Sequence, residues 1–280
     1  MNAPSRHNLT DRELRWLRHI AIHGPQSSEF LLELSADTHS CRDTGLRTLQ
    51  KLRETGYLRL PSQQRQIAKA DFNPHVYELT RRTELHLRGL GDPEPVPPTG
   101  HWWHSFLTAS TTSAIAIEVE RRGYRYIPAH AILARNNAAL AIQHSRQKLI
   151  PDQLFAIDYG GTYRSFVLEV DRGTEPYAST TARKSLRRMI SSYAELSAKD
   201  TLRRHYGLKS PLLILMVFAN PARAARCLEE LATQAQNLGS LGLVGVAAPG
   251  FPRYQPVQAL VSGPWQRAQG SAVRLFDRLR

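Results

Sequence analysis

The chain has 280 residues, 41% of them hydrophobic and 8% aromatic, which is enough for one large core or two smaller ones. Its 37 Lys and Arg outnumber 24 Asp and Glu for a formal net charge of +13, an excess that points to a polyanionic partner, with nucleic acid ahead of an anionic membrane. Cys41 and Cys227 are the only cysteines, which excludes a disulfide framework or a thiolate metal cluster. No apolar run reaches bilayer length or forms a signal-peptide core, so a reducing cytoplasm is the expected setting.

From the N-terminus, Thr10 with Glu13 three residues later has capping-box spacing. Leu9, Leu14, Leu17, Ile20 and Ala21 then supply the apolar stripe of a helix that Gly24-Pro25 ends. Ser27 or Ser28 opens a second short helix through Phe30, Leu31 and Leu34. Asp43 or Thr44 starts a third, with Leu46, Leu49 and Leu52 inward and Gly56 as its stop. Residues 57–60 and 75–80 read as two strands. Three helices followed by a two-stranded wing is the winged helix-turn-helix order, in which the third helix enters the major groove. Its outward positions include Arg42, Thr44, Arg47, Thr48, Gln50 and Lys51, side chains that reach base edges and phosphates; Arg59, Arg65 and Lys69 fall on the wing. For each of them a solvated face is the alternative.

Residues 91–100 hold four prolines and read as an extended spacer between a 1–90 domain and a 101–280 domain. The charge is uneven across this boundary: residues 1–90 carry 14 Lys and Arg against 10 acids, and residues 101–280 carry 23 against 12. The second domain opens with a helix over 103–122. Gly160-Gly161, flanked by apolar and aromatic runs, then marks a two-residue hairpin. Centred there, it pairs Phe155 with Phe166, Leu154 with Val167 and Asp152 with Glu169. Like charges facing across strands are destabilising, so Asp152 and Glu169, with Asp171 two residues on, point to a bound cation or a reaction. A long basic helix over 178–206 follows, with Lys184, Arg187 and Arg188 among its cations. Strands at 211–218 and 242–247 flank a helix at 221–238, which makes an α/β sandwich with a mixed sheet.

Pro151-Asp152 and Glu169-Val170-Asp171, in a helix-strand-strand-helix-strand order, resemble the PD-(D/E)xK nuclease-like fold, with Asp171 where that pattern has lysine. Together with His104, the run Glu169-Val170-Asp171-Arg172-Gly173-Thr174-Glu175, Arg188 and Tyr193, the chain resembles the replication-relaxation family of plasmid replication and mobilisation accessory proteins. The nuclease resemblance implies a divalent metal, Mg²⁺ or Mn²⁺, on Asp152 and Glu169, with Asp171 completing a catalytic set. The family pattern has an Arg-Lys pair five and four residues before the tyrosine. Here Arg188 and Met189 stand there, which removes the cation expected to face the acids, and Lys184 lies on the opposite side of the helix. The expectation is therefore a double-stranded DNA-binding accessory protein that does not cut. Its partners would be DNA, a relaxase or replication protein, or a second copy of the chain. A metal-dependent endonuclease and a winged-helix transcriptional regulator are the alternatives. His19 with His23 read as ordinary surface or core histidines rather than metal ligands, and Trp102 with Trp103 as packing rather than base-stacking groups.

Overall fold

The computed structural model describes residues 8–38, 41–66, 74–144, 147–174, 176–178, 185–209, 212–238, 243–244 and 253–276. Two compact units emerge. The first runs to Ile117 and takes in Pro252–Pro256; the second comprises Glu118–Phe251 and Val257–Arg280. The Pro-rich stretch 91–100 and most of the helix that follows it fall inside the first unit.

In the first unit, α1 (Asp11–His23) begins at a closed capping box. The Thr10 N–H donates to the Glu13 carboxylate at 2.8 Å, and the Glu13 N–H donates to Thr10 Oγ1 at 3.3 Å. Then come β1 (Gln26–Ser27), α2 (Ser28–Leu34), α3 (Arg42–Glu54), β2 (Leu58–Arg59), α4 (Ser62–Gln66), β3 (Val76–Leu79), α5 (Arg81–Gly89) and α6 (Trp102–Arg121). The strands form an antiparallel sheet ordered β1-β3-β2, with Gln26 opposite Tyr77 and Arg59 opposite Glu78. Trp16, Leu17, Phe30, Leu31, Leu49, Leu52 and Val76 are buried in its core.

Some expectations shift here. The buried face of α1 is centred on Trp16, Leu17, His19, Ile20 and His23, and Leu14 is only half-buried. Polar residues can occupy that face because each has a local partner: Glu13 closes the capping box, and the histidines meet hydroxyls of α6 at Ser113 (2.6 Å) and Thr112 (2.9 Å). The third helix starts at Arg42, one residue ahead of the expected start. β1 and α5 carry too little periodic apolar signal to be read from sequence. Trp102 and Trp103 pack against Val76 and Phe106.

The second unit continues with β4 (Arg125–Pro128), α7 (Ala129–Arg135), β5 (Ile142–His144), β6 (Gln147–Leu149), β7 (Gln153–Asp158), β8 (Tyr163–Asp171), α8 (Leu186–Ala198), α9 (Thr201–His205), β9 (Leu212–Phe218), α10 (Pro221–Leu238), β10 (Leu243–Val244) and α11 (Gln258–Ser262). Its principal sheet is ordered β10-β9-β8-β7-β4. β7 runs antiparallel to both neighbours, whereas β8, β9 and β10 are mutually parallel, so the sheet is mixed.

The hairpin has the expected register: Phe155 faces Phe166 and Leu154 faces Val167. Gly160 and Gly161 sit at φ 87° and 100°, and both of their N–H groups donate to Asp158 Oδ1, at 3.0 and 2.7 Å. Strand alternation then separates two faces. Phe155 and Phe166 stack on one (ring centroids 5.1 Å) and continue to Tyr126. Glu169 and Asp171 lie on the other, where α8 and α10 pack. The expected long basic helix is interrupted. Asp200 adopts φ 54° between α8 and α9, a left-handed conformation that Asp tolerates better than most residues. Its carboxylate is engaged by Arg203.

Candidate functional site

Asp152 precedes β7 and Glu169 lies on β8, so the hairpin register brings them together. The Asp152 N–H donates to the Leu168 carbonyl at 3.1 Å, and the Val170 N–H donates back to Asp152 Oδ2 at 2.7 Å. Both side chains are buried. From α8, the Tyr193 hydroxyl donates to Glu169 Oε1 at 2.5 Å. Burial first, then the negative charge of Glu169, push the Tyr193 phenol well above its ordinary value, so it stays a donor at any physiological pH. Tyr206 of the α9 C-terminus is shifted up in the same way, by burial and then by Glu169. A phenol that cannot ionise is a suitable neighbour for two close carboxylates, because it contributes a hydrogen bond without adding negative charge.

Asp171 shares this face of β8 but is otherwise engaged. Arg223 of α10 donates to Asp171 Oδ2 through Nε (3.1 Å) and Nη2 (2.6 Å), and the Gly173 N–H donates to Oδ1. Both side chains of the pair are largely buried. Beside them the Cys227 thiol is pushed up to about 12, by burial first and then by Asp171 and Glu230. Nothing in the spacing of the sequence marks Arg223 as the partner of Asp171. Met189 is buried on the same stripe of α8 as Leu186 and Tyr193. Among the described residues, no group of three His, Cys, Asp or Glu side chains could hold a metal ion. Asp152 and Glu169 are oxygen donors of the kind Mg²⁺ or Mn²⁺ takes, but each already spends one oxygen on a protein donor, and the third acid faces a guanidinium.

The candidate DNA-contact residues divide into paired and unpaired cations. On α3, Arg42 is held by both carboxylate oxygens of Glu29 from α2, with Nη1 at 2.7 Å from Oε2. Arg47 and Lys51 are exposed and have no ion-pair partner among the described residues. The Thr48 hydroxyl donates to the Thr44 carbonyl at 2.9 Å. At the N-cap of α3, the neighbouring Thr44 hydroxyl first, and then the backbone N–H groups of Thr44 and Asp43, lower the exposed Cys41 thiol.

On β2, Arg59 Nε donates to Glu78 Oε2 at 3.1 Å. On α8, Arg187 is bonded to Glu230 of α10, which also accepts from the Tyr177 hydroxyl at 2.8 Å. Arg188 is half-buried with no ion-pair partner among the described residues. Arg65 lies on α4, but its side chain is outside the described set. Lys69, Glu175 and Lys184 lie outside the described residues altogether.

With this geometry in place, the family comparison is decisive: the model described as Replication-relaxation matches residues 17–212, more than half of the chain. The chain belongs to the replication-relaxation family. The match begins within α1 and ends at the first residue of β9, so it spans α3, the acidic hairpin and Tyr193. No curated protein and no solved structure matches the chain. Membership in this family suggests a role in replication and relaxation. Among the described residues, no helix is long and apolar enough to cross a membrane.

Proposed function

We propose that the protein is a double-stranded DNA-binding accessory factor of plasmid replication, relaxation or mobilisation. The first unit is a winged helix that docks α3 in the major groove, and the second is a nuclease-like domain that holds DNA or a relaxase without hydrolysis. The observation that carries this reading is the outer face of α3, where Arg47 and Lys51 stand exposed without ion-pair partners among the described residues, on a chain with a net charge of +13. Cations that are not internally neutralised are the ones that release counterions from a duplex. Each such contact contributes about 1 to the slope of log affinity against log salt. Arg47→Ala with Lys51→Ala should therefore flatten the slope by about 2; an unchanged slope would move the interface away from α3.

Two features favour binding without cleavage. Met189 stands where the family pattern has a lysine, and Asp171 is neutralised by Arg223. The second reading, a metal-dependent nicking enzyme, draws on the two buried acids that the hairpin places side by side. Incubating supercoiled plasmid with Mg²⁺ or Mn²⁺, with Asp152→Ala as the control, separates the two. An accessory role predicts no nicking, and nicking abolished by the substitution would establish catalysis.

A further inference from the structure

Arg59, Glu78 and Trp102 form a chain that ends at the surface. Arg59 on β2 is directly opposite Glu78 on β3. Its Nε donates to Glu78 Oε2 at 3.1 Å, and Trp102 Nε1 from the first turn of α6 donates to the other oxygen, Oε1, at 2.7 Å. The indole is fixed in turn, stacked on Phe106 (centroids 5.3 Å) and edge-on to Trp103 (4.9 Å). The Glu78 side chain is 17% exposed and that of Arg59 is 62% exposed. The bond at Nε leaves Nη1 and Nη2 without a hydrogen bond among the described residues.

An ordinary surface ion pair joins two mobile side chains and contributes little. This one differs because the acid is pinned on both oxygens, once by an indole that is itself immobilised by packing. A guanidinium fixed through Nε presents its terminal nitrogens as a rigid fork, and such a fork matches paired acceptors.

We propose that Glu78, backed by Trp102, is a positioning residue that aims Arg59 at a paired-acceptor edge of duplex DNA, either the phosphate oxygens or the O6 and N7 atoms of guanine. The assignment rests on the DNA-binding reading above. It deepens that reading by separating the cations of the first unit into free phosphate contacts (Arg47 and Lys51) and one pre-aimed reader (Arg59).

The decisive property is a sign. Removing an acid from a surface that faces a polyanion ordinarily strengthens binding. A positioning role predicts the reverse. Full-length wild type, Glu78→Gln, Trp102→Phe, Arg59→Ala and the Arg59→Ala/Glu78→Gln double variant would be titrated by fluorescence anisotropy against a 30-base-pair random-sequence duplex, and each would be used to select binders from a randomised duplex library.

Ordering one long side chain is worth enough to make Glu78→Gln bind roughly 2- to 12-fold more weakly, with Trp102→Phe changed in the same direction and less. In the Arg59→Ala background, Glu78→Gln should cost nothing. If the acceptor is phosphate, Arg59→Ala lowers the salt slope by about 1 on every duplex. If it is guanine, the slope is kept and preference at one selected position falls by roughly 5- to 150-fold. Tighter or unchanged binding by Glu78→Gln in the wild-type background overturns the assignment, as does equal weakening with and without Arg59. Either result leaves the DNA-binding reading intact. Absence of duplex binding by the wild type removes both.

Discussion

The two buried histidines of α1 show how a residue's chemistry is set by what folds against it. Their i, i+4 spacing was visible in the sequence, and so was the choice between core and ligand. The Ser113 and Thr112 hydroxyls that decide for the core come from a helix about 90 positions later, and no local pattern announces them. Burial first, and then the Arg15 charge, lowers His19 to about 3; burial and then His19 lower His23. The folded state therefore binds fewer protons here than the unfolded chain, whose histidines titrate near 6.5. The stability this contributes is fully present above about pH 6.5 and is lost as the pH falls below it, for His19 down to about 3, by up to about 1.4 kcal/mol per pH unit per histidine. Urea midpoints should drop between pH 7.5 and 5, and a His19→Gln/His23→Gln variant should drop less. Equal drops would place the acid sensitivity elsewhere. In the second unit, Tyr193→Phe takes the phenol donor from Glu169, and a loss of about 1–3 kcal/mol in chemical denaturation is expected. An unchanged midpoint would mean that the bond contributes nothing to stability.

Among the elements, the hairpin of β7 and β8 was the most legible, because a Gly-Gly turn fixes register and register fixes which side chains face each other. The pairing of Asp152 with Glu169 follows from that alone. Gly161 has open space around its missing Cβ, so Gly161→Ala should cost about 1–2 kcal/mol from the positive φ alone; a neutral result would show that the turn relaxes. β4 was not legible. It is a four-residue edge strand ending in Pro128, exposed at Arg125 and half-buried from there on, so its pattern has no alternation to detect. The interruption at Asp200 was missed for a different reason: Lys199-Asp200-Thr201 suits a helix surface, and only the left-handed backbone at Asp200 ends α8. The partner of Asp171 was also out of reach, since Arg223 arrives from α10, 52 positions away.

At the scale of the molecule, charge and family carry the account. The charge excess was read directly from composition, and the family match over residues 17–212 agrees with the resemblance carried by the acidic hairpin and Tyr193. Composition could not separate cations that meet DNA from cations consumed internally. Arg42 and Arg187 are each held by an acid, whereas Arg47 and Lys51 have no such partner among the described residues. A count of basic residues therefore overstates the phosphate contacts, and the salt slope should reflect the smaller, unpaired set. The most direct test of the central claim is the affinity of the full-length protein for a linear duplex measured from 50 to 300 mM salt. The account predicts a log-log slope of about −3 or steeper. A slope near zero, or no binding at the lowest salt, would contradict it.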